Sequence, residues 1–362
     1  MQRDIRPNVE VVLFSKHFTR NIKALFEILD NSVEFSKKVI WLTYSLDSYN
    51  KWKDVVPTVY WSTEIGHQHT WNMIENAKIL ITDDVIPELK DFDWVCRKLL
   101  RIQLWHGVPF KDIGLSSLLR HDVFQGYKVF SEFLDSSEFF LVPTESDLPM
   151  YKRLFPNAKH FVLPEPKIST IFSENPSFVS SIDNYTRFKE SLPPDAFKKV
   201  FLWAPTFREV EGVWGEDLPN YLNTICIEND VLLVCKPHPH DQYLSKLNFD
   251  GFSNIYVASD SEDVYDYIRI VDGVISDYSS LLIELHRLRI PVTRWIPDES
   301  VYIARHGTLE TNEIMNVISK HSIFREALER IIGLPKSPAM SQDVSLPWIN
   351  LLKTLLESLD EK

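Results

Sequence analysis

Short apolar runs alternate along this chain with longer segments whose apolar residues recur every three or four positions. The runs are rich in Val and Ile, as in VEVVLFS, KVIWLTY and VLLVCKPHP. Strands that are apolar on both faces and separated by helices are typical of a parallel α/β sheet. The pattern predicts helices at 21–29 and 69–77, and strands at 9–15, 38–44, 58–61, 78–84, 101–107, 139–144, 199–206, 231–239, 254–259, 273–280 and 291–296.

The strand series is interrupted by one stretch rich in Ser, Pro and Asn, at 165–199. Such a composition is typical of a connection between domains. We therefore expect an α/β protein with two Rossmann-like domains that face a cleft. The first would span 1–165 and the second 198–340, joined by a linker region over 166–197.

The segment 341–362 is predicted to end in a helix with one apolar face. The residues of that face are Trp348, Leu351, Leu352, Leu355 and Leu359. We expect the face to pack on the protein. Contact with a membrane surface is the alternative, but the polar face is poor in the basic residues that an anionic lipid surface attracts.

Composition and charge narrow the class of protein. A hydrophobic content of 44% and an aromatic content of 12% are sufficient for two apolar cores. The chain carries 39 Lys and Arg against 51 Asp and Glu, a net charge of −12. This balance argues against a nucleic-acid partner, which requires a basic face. It leaves a small anionic ligand possible, because a phosphate site needs only local donors.

Cysteine usage and the absence of long apolar runs indicate the compartment. The three cysteines, Cys96, Cys226 and Cys235, form no CxxC or CxxH spacing, so neither a disulfide framework nor a zinc site is expected. The start of the chain has no secretory leader pattern, and no apolar run reaches the roughly 18 residues of a membrane span. We expect a cytoplasmic protein without a bound metal or cofactor.

Polar residues gather just after the predicted strands, where open α/β sheets bind their ligands. In ISDYSSLLIELHRL a strand ends and a helix is predicted to start near Ser279. Free backbone amides and the hydroxyls of Ser279 and Ser280 would bind a phosphate there. Glu284, one helical turn further on, would accept hydrogen bonds from a ribose. Alternatively, Asp277 or Ser279 only caps the helix.

Two other loops place cationic side chains after a strand. In VCKPHPH the prolines stiffen the turn around His238, so that Lys236 and His238 can both face a phosphate. In LWAPTFRE, Thr206 and Arg208 follow the strand, and an arginine offers a fork of donors that fits phosphate oxygens. Each loop can equally be an ordinary surface loop with exposed polar residues.

The stretch QLWHGVPFKDIG, at 103–114, runs from an apolar strand straight into His106, with Gly107 giving the backbone room beside it. One interpretation is a tight turn that contains a structural histidine. The other is a general base, because histidine is the usual proton acceptor near neutral pH.

These four segments, in this order and at these spacings, resemble the CDP-glycerol glycerophosphotransferase family, which includes wall teichoic acid primases and polymerases and related capsule polymerases. The resemblance is clearest over about 101–285. It implies a glycosyltransferase-B fold, with an N-terminal acceptor domain and a C-terminal CDP-alditol-binding domain. It also implies an enzyme that transfers an alditol phosphate, usually glycerol phosphate, from a CDP-alditol to an acceptor hydroxyl and releases CMP.

The same resemblance assigns roles to the predicted site residues. His106 would be the catalytic base, and His238 would stabilise charge on the bridging phosphate. The side chains that bind the pyrophosphate would be Arg208, His238, Ser279 and Ser280. Support would come from Lys236, Asp277, Thr206 and Gly107.

Three features of the chain differ from the family pattern. Glu284 stands where many members have Asp, which moves the carboxylate by one methylene. Pro166-Lys167 replaces a Pro-Arg pair, and His306 separates an arginine from a glycine that are adjacent in many members. These differences bear on the ribose and alditol contacts and leave the reaction type unchanged.

The implied partners are the CDP-alditol donor and a lipid-linked saccharide or growing polymer as acceptor. A peripheral contact with the cytoplasmic face of the membrane would follow from such an acceptor. CMP leaves as a phosphate monoester whose second pKa is about 6, so a strong acid is not required. The sequence offers no cluster of carboxylates as a Mg²⁺ site, so no obligatory metal is expected. Two alternatives remain: a sugar transferase of the same fold that uses a nucleotide sugar, and a non-catalytic member that binds nucleotide or polymer.

Overall fold

The computed structural model describes residues 8–62, 70, 72, 74–83, 99–105, 107–108, 138–172, 183–193, 196–208, 212–238, 241, 243–259, 262–306, 313–335 and 344–361. Contacts divide the chain into two compact units. The first unit comprises 1–106, 113–178 and 342–362, and the second comprises 107–112 and 179–341.

The first unit is built on a seven-stranded sheet in which every recorded strand pair is parallel. Its strands are β1 (Val11–Phe14), β2 (Val39–Thr43), β3 (Thr58–Tyr60), β4 (Ile79–Thr82), β5 (Leu100–Gln103), β6 (Phe139–Val142) and β7 (Lys159–Val162). The order across the sheet is β3-β2-β1-β4-β5-β6-β7. The central strands β1 and β4 are buried along their whole length, which explains their near-continuous apolar sequences.

Helices α1 (Arg20–Asp30), α2 (Leu46–Trp52), α3 (Leu148–Leu154) and α4 (Ile168–Phe172) belong to the first unit, as does the C-terminal helix. Helix α1 buries Ile22, Leu25, Phe26 and Leu29, the spacing of one helical face. The side chain of Ser45 caps α2 by accepting a hydrogen bond from the Ser48 amide at 3.3 Å.

The second unit contains a six-stranded sheet, again with only parallel pairs recorded. Its strands are β8 (Lys199–Trp203), β9 (Val231–Cys235), β10 (Ile255–Val257), β11 (Gly273–Ser276), β12 (Val292–Trp295) and β13 (Lys320–His321), in the order β10-β9-β8-β11-β12-β13. Its helices are α5 (Asp183–Glu190), α6 (Leu218–Glu228), α7 (Val264–Ile268), α8 (Leu281–Arg287), α9 (Glu299–His306), α10 (Glu313–Val317) and α11 (Phe324–Ile332).

The C-terminal helix α12 (Ser345–Asp360) follows the second unit in sequence but packs in the core of the first. Trp348, Leu352 and Leu356 are buried in the same apolar cluster as residues of α1, β1 and β4. The Trp348 indole donates a hydrogen bond to the Pro164 carbonyl at 2.9 Å, and Lys78 forms an ion pair with Asp360. The first unit therefore depends on a segment that is distant in sequence.

The predicted parallel α/β class is confirmed, and each predicted strand corresponds to an observed one. The observed strands are shorter, because the prediction included residues that flank the strands at one or both ends. The sequence pattern did not predict β7, which is half-exposed, or β13, which has two residues. Of the helix predicted at 69–77, residues 70, 72 and 74 are helical, whereas 69, 71 and 73 lie outside the described residues. The segment 173–182 of the predicted linker region lies wholly outside them.

Candidate active site

Three of the four predicted segments lie at one edge of the second unit's sheet. Strands β9, β8 and β11 are neighbours, and the loops that follow them carry Lys236 and His238, Thr206 and Arg208, and Asp277 to Ser280. The ladder extends into these loops, since the Lys236 amide donates to the Trp203 carbonyl at 2.8 Å and the Ala204 amide to the Ile275 carbonyl at 3.0 Å. The three loops therefore leave the sheet side by side.

Asp277 ties the β11 loop to the β8 loop. Its side chain is 1% exposed, and Oδ1 accepts hydrogen bonds from the Thr206 amide at 2.9 Å and the Tyr278 amide at 2.6 Å. The other carboxylate oxygen forms an ion pair with the Arg208 guanidinium at 2.8 Å. A single carboxylate thus fixes the backbone of two loops and orients the arginine between them.

Arg208 is held by acceptors of its own chain. Its Nε and Nη2 donate to the two oxygens of Asp298 at 2.7 and 2.9 Å, and Nη1 donates to the Thr206 carbonyl at 2.7 Å. The guanidinium also lies 4.7 Å from the Tyr302 ring centroid. The Arg208 side chain is 3% exposed, and its contacts hold these loops together as a structural clamp.

The electrostatics of this clamp favour the charged arginine. Burial by itself lowers the pKa of Arg208, but the neighbouring Asp277 and Asp298 carboxylates outweigh it and hold the pKa above its ordinary value. The Tyr302 hydroxyl is buried beside the same carboxylates, and its pKa is raised. The sequence reasoning missed Asp298. Its position three residues after strand β12 was the available signal.

His238 is positioned through Asp241. The His238 carbonyl accepts from the Asp241 amide at 2.8 Å, and the Asp241 carboxylate accepts from the amides of Tyr243, Leu244 and Arg208 at 3.0, 2.6 and 3.2 Å. The half-buried imidazole lies 5.1 Å from the Phe207 ring, centroid to centroid. Lys236, at the start of this loop, is buried. The β9 loop is therefore linked to the β8 loop by both backbone and ring contacts.

Ser279 and Ser280 precede helix α8, as predicted. Ser279 Oγ accepts a hydrogen bond from the Leu281 amide at 3.3 Å, which is a capping contact. Ser280 occupies the N-cap position, where its side chain makes no capping hydrogen bond. One turn on, the buried Glu284 accepts a hydrogen bond from the Tyr265 hydroxyl at 2.5 Å. Tyr265 was not found from the sequence, because nothing in its local pattern indicates a partner nineteen residues away.

Gly107 lies against the start of α8. Its φ is +146°, in the region that favours glycine, and a Cβ there would overlap Ser280 Oγ and lie 2.6 Å from Glu284 Oε1. The backbone at 107 therefore approaches two predicted binding residues more closely than any residue with a side chain could. His106 itself lies outside the described residues.

Neither a metal site nor a membrane-spanning helix is found in the described part of the chain. No group of three or more His, Cys, Asp or Glu side chains there is arranged to hold a metal ion. None of the helices within that part is both long and apolar enough to cross a membrane.

Two parallel α/β sheets with a polar site at the strand ends define the Rossmann-like architecture of the glycosyltransferase-B fold. The structure of the wall teichoic acid polymerase TagF superposes with a TM-score of 0.70 at 16% identity, covering 99% of this chain and 92% of that chain. A variant of TagF soaked with CDPG gives a TM-score of 0.69 at 16% identity, with coverage of 100% and 91%. A UDP co-structure of MnaA from S. aureus gives 0.58 at 14% identity, covering 96% of this chain and 97% of that one.

Sequence comparison identifies the family. Residues 2–329 match the family described as CDP-glycerol:poly(glycerophosphate) glycerophosphotransferase, and the chain belongs to this family of enzymes. The teichoic acid poly(glycerol phosphate) polymerase of Bacillus spizizenii is 25% identical over 320 residues, 82% of this chain and 76% of that protein. The teichoic acid ribitol-phosphate polymerase TarL of Staphylococcus aureus is 30% identical over 228 residues, 59% of this chain and 38% of that protein. The predicted resemblance is thereby confirmed.

Proposed function

We propose that this enzyme transfers glycerol phosphate from CDP-glycerol to an acceptor hydroxyl and releases CMP. The observation that carries the proposal is the set of three adjacent strand-end loops in the second unit, which are tied together by Asp277 and Asp241. Such an edge of a parallel sheet is the usual place for a nucleotide. Membership of the glycerophosphotransferase family supports a CDP-alditol as that nucleotide.

In this proposal the second unit holds the donor. Ser280, Ser279, Lys236 and His238 donate to the pyrophosphate oxygens, and Glu284, oriented by Tyr265, accepts from the ribose hydroxyls. Arg208 contributes in two ways. Its buried positive charge lies among the three loops, and its ion pairs with Asp277 and Asp298 keep those loops in place. Gly107 lets the backbone approach Ser280.

The chemical step is a displacement at phosphorus. His106 accepts the proton of the acceptor hydroxyl, and the hydroxyl oxygen attacks the phosphorus that carries glycerol. The bond from that phosphorus to the bridging oxygen breaks, and CMP leaves with the electron pair. Negative charge builds on the bridging oxygen, so His238 and Lys236 stabilise the transition state by charge and hydrogen bonding. The products are CMP and a new phosphodiester.

The acceptor in this proposal is a lipid-linked saccharide or a growing polymer of the teichoic acid or capsule type. The enzyme would meet such an acceptor at the cytoplasmic face of the membrane as a peripheral protein. Relatives named for glycerol phosphate and for ribitol phosphate both match this chain, so the donor must be identified by binding.

The test is a calorimetric titration of the whole chain with CDP-glycerol, CDP-ribitol, UDP-glucose and CMP. We expect CDP-glycerol and CMP to bind and UDP-glucose to give no heat. Tighter binding of CDP-ribitol would change the alditol and keep the reaction. Binding of UDP-glucose without a response to either cytidine ligand would replace the proposal by the sugar transferase.

A pair of serine variants locates the binding. Ser280→Ala removes a hydroxyl donor to a charged phosphate, and we expect affinity for CDP-glycerol to fall roughly 10- to 100-fold. The control is Ser253→Ala, which lies before strand β10 at the opposite edge of the same sheet and donates only to Asn254. Equal affinities of the two variants would place the donor elsewhere in the protein.

A further inference from the structure

A buried polar network in the first unit ends at the peptide group before His106. Asn21 of helix α1 is 0% exposed, and its Nδ2 donates to the Trp105 carbonyl at 3.1 Å. Its Oδ1 accepts from the Lys167 amide at 3.2 Å, and Nδ2 also lies 3.4 Å from Glu165 Oε1. The side-chain amide therefore connects the end of β5 to the segment before α4.

The connection is made rigid by an ion pair behind it. Lys167 Nζ lies 2.9 Å from Glu165 Oε1, with side-chain exposures of 0% and 2%. Removing one partner of such a pair leaves an uncompensated buried charge, whereas the intact pair contributes little net stability. The pair thus restricts geometry more than it raises the free energy of unfolding.

Trp105 is held in a conformation that it would not adopt by itself. Its φ is +57°, which is strained for a bulky residue, by on the order of 1–3 kcal/mol. Three groups of contacts hold it there. The buried Gln103 Oε1 accepts from the Trp105 amide at 2.8 Å, Asn21 binds the Trp105 carbonyl, and the indole packs 6.3 and 6.0 Å from the rings of Phe140 and Phe155.

We infer that Asn21, together with the Glu165–Lys167 pair, is a positioning element for the catalytic base. The carbonyl that Asn21 holds belongs to the peptide bond joining Trp105 to residue 106, so its direction sets the direction in which the chain enters His106. This inference rests on the proposed role of His106. Asn21 and the ion pair belong to the first unit, and the proposed donor residues belong to the second unit.

The test compares Asn21→Ala with Ile28→Ala in the full chain. Ile28 is buried about two turns further along α1, so its truncation weakens the same helix without removing the Trp105 contact. With CDP-glycerol and a glycerol-phosphate-primed acceptor, we expect Asn21→Ala to lower kcat roughly 10²-fold, the effect of about 1 Å of misplacement. Its KM and Kd for CDP-glycerol should be unchanged, and Ile28→Ala should lower Tm and keep kcat.

A double-variant cycle identifies the residue through which Asn21 acts. If it acts through His106, Asn21→Ala should cause little further loss of kcat in a His106→Ala background. A full additional loss in that background would overturn the inference. If His106→Ala alone keeps normal turnover, the proposed base is wrong, and this result is obtained without any variant of Asn21.

A second variant covers the case in which Asn21→Ala does not fold. Asn21→Asp keeps the size and the acceptor for the Lys167 amide, and as an ionised carboxylate it cannot donate to the Trp105 carbonyl. We expect the same loss of kcat at constant Kd for CDP-glycerol. A folded Asn21→Asp protein with the original kcat would contradict the positioning role.

Discussion

Trp105 and Gly107, the two residues on either side of His106, both have a positive φ, +57° and +146°. The glycine adopts such a conformation at little energetic cost, and the tryptophan does not. The sequence indicated the first, because a glycine beside a histidine at a strand end is typical of a constrained turn. It could not indicate the second, since most of the contacts that stabilise Trp105 come from Asn21, Phe140 and Phe155, which are distant in sequence.

Replacing Gly107 by alanine tests how closely the backbone must approach helix α8. Gly107→Ala adds backbone strain of about 1–3 kcal/mol and a Cβ that overlaps Ser280 and crowds Glu284. We expect the affinity for CMP and CDP-glycerol to fall at least roughly 10-fold, because the predicted phosphate and ribose contacts are displaced. Calorimetric titration measures the affinity, and a thermal melt measures the strain.

Gly251→Ala is the matched control. Gly251 also has a positive φ, +82°, but a Cβ there meets nothing within 4 Å. It should lower Tm through backbone strain and leave CMP binding intact. The same affinity loss in both variants would mean that strain alone, and no contact at α8, limits binding.

The candidate site was predictable where its residues follow strands, and unpredictable where they act by long-range pairing. Arg208, His238 and Ser280 follow apolar runs within a few residues, and such runs can be recognised in the sequence. Asp298 binds Arg208 from ninety residues away, and no periodicity encodes that distance. The structure also changes the picture of Arg208, whose donors point to carboxylates of the protein itself.

At the scale of elements, the central parallel strands could be predicted from the sequence because both of their faces are buried. A run such as VLLVC in β9 has no polar position, and its neighbours in the sheet have the same property. The edge strands β7 and β13 lack this signal. Strand β7 carries two polar residues in four, and β13 is a two-residue strand that only its register with β12 defines.

Helix α12 offers an internal comparison of burial. Leu352→Ala removes a side chain that is 0% exposed in the core of the first unit, and we expect the free energy of unfolding to fall by about 2–5 kcal/mol. Leu346→Ala, on the same helix, truncates a leucine that is 57% exposed, so the change should stay within about 0.5 kcal/mol. Urea unfolding, followed by the fluorescence of Trp348 and the other tryptophans, measures both values.

The comparison has a clear negative outcome. If the two leucine variants unfold at the same urea concentration, α12 does not contribute to the core in solution. If only Leu352→Ala shifts the midpoint, the shifted transition belongs to the first unit.

At the scale of the whole molecule, two parallel sheets could be predicted from one interruption in the strand series. The contribution of the C-terminal helix to the first unit could not, because an amphipathic pattern reports a buried face and does not name the surface that covers it. The aromatic core of the second unit illustrates the same limit: Trp203, Trp214 and Trp295 pack with centroids 5.2–5.6 Å apart, although Trp295 is distant in sequence from the other two.

Hydrogen exchange on the intact chain can locate the donor without any substitution. With saturating CDP-glycerol, we expect added protection of amides in the loops after β8, β9 and β11, which carry Thr206, His238 and Ser280. The amides of Ser253 and Asn254, which precede strand β10 of the same sheet, serve as the internal control. Their exchange should not change. Protection confined to the control edge would contradict the proposed site.

The assignment of α12 to the first unit has a consequence for biosynthesis. The ribosome delivers Ser345–Asp360 only after the entire second unit, 179–341, has been made. At ordinary elongation rates, translating the roughly 170 residues between takes on the order of 10–30 s. During that interval the nascent first unit exposes the apolar surface that Trp348 and Leu352 later cover. Completion of the first unit is therefore a late step, and chaperones that bind exposed apolar surface have that time in which to act.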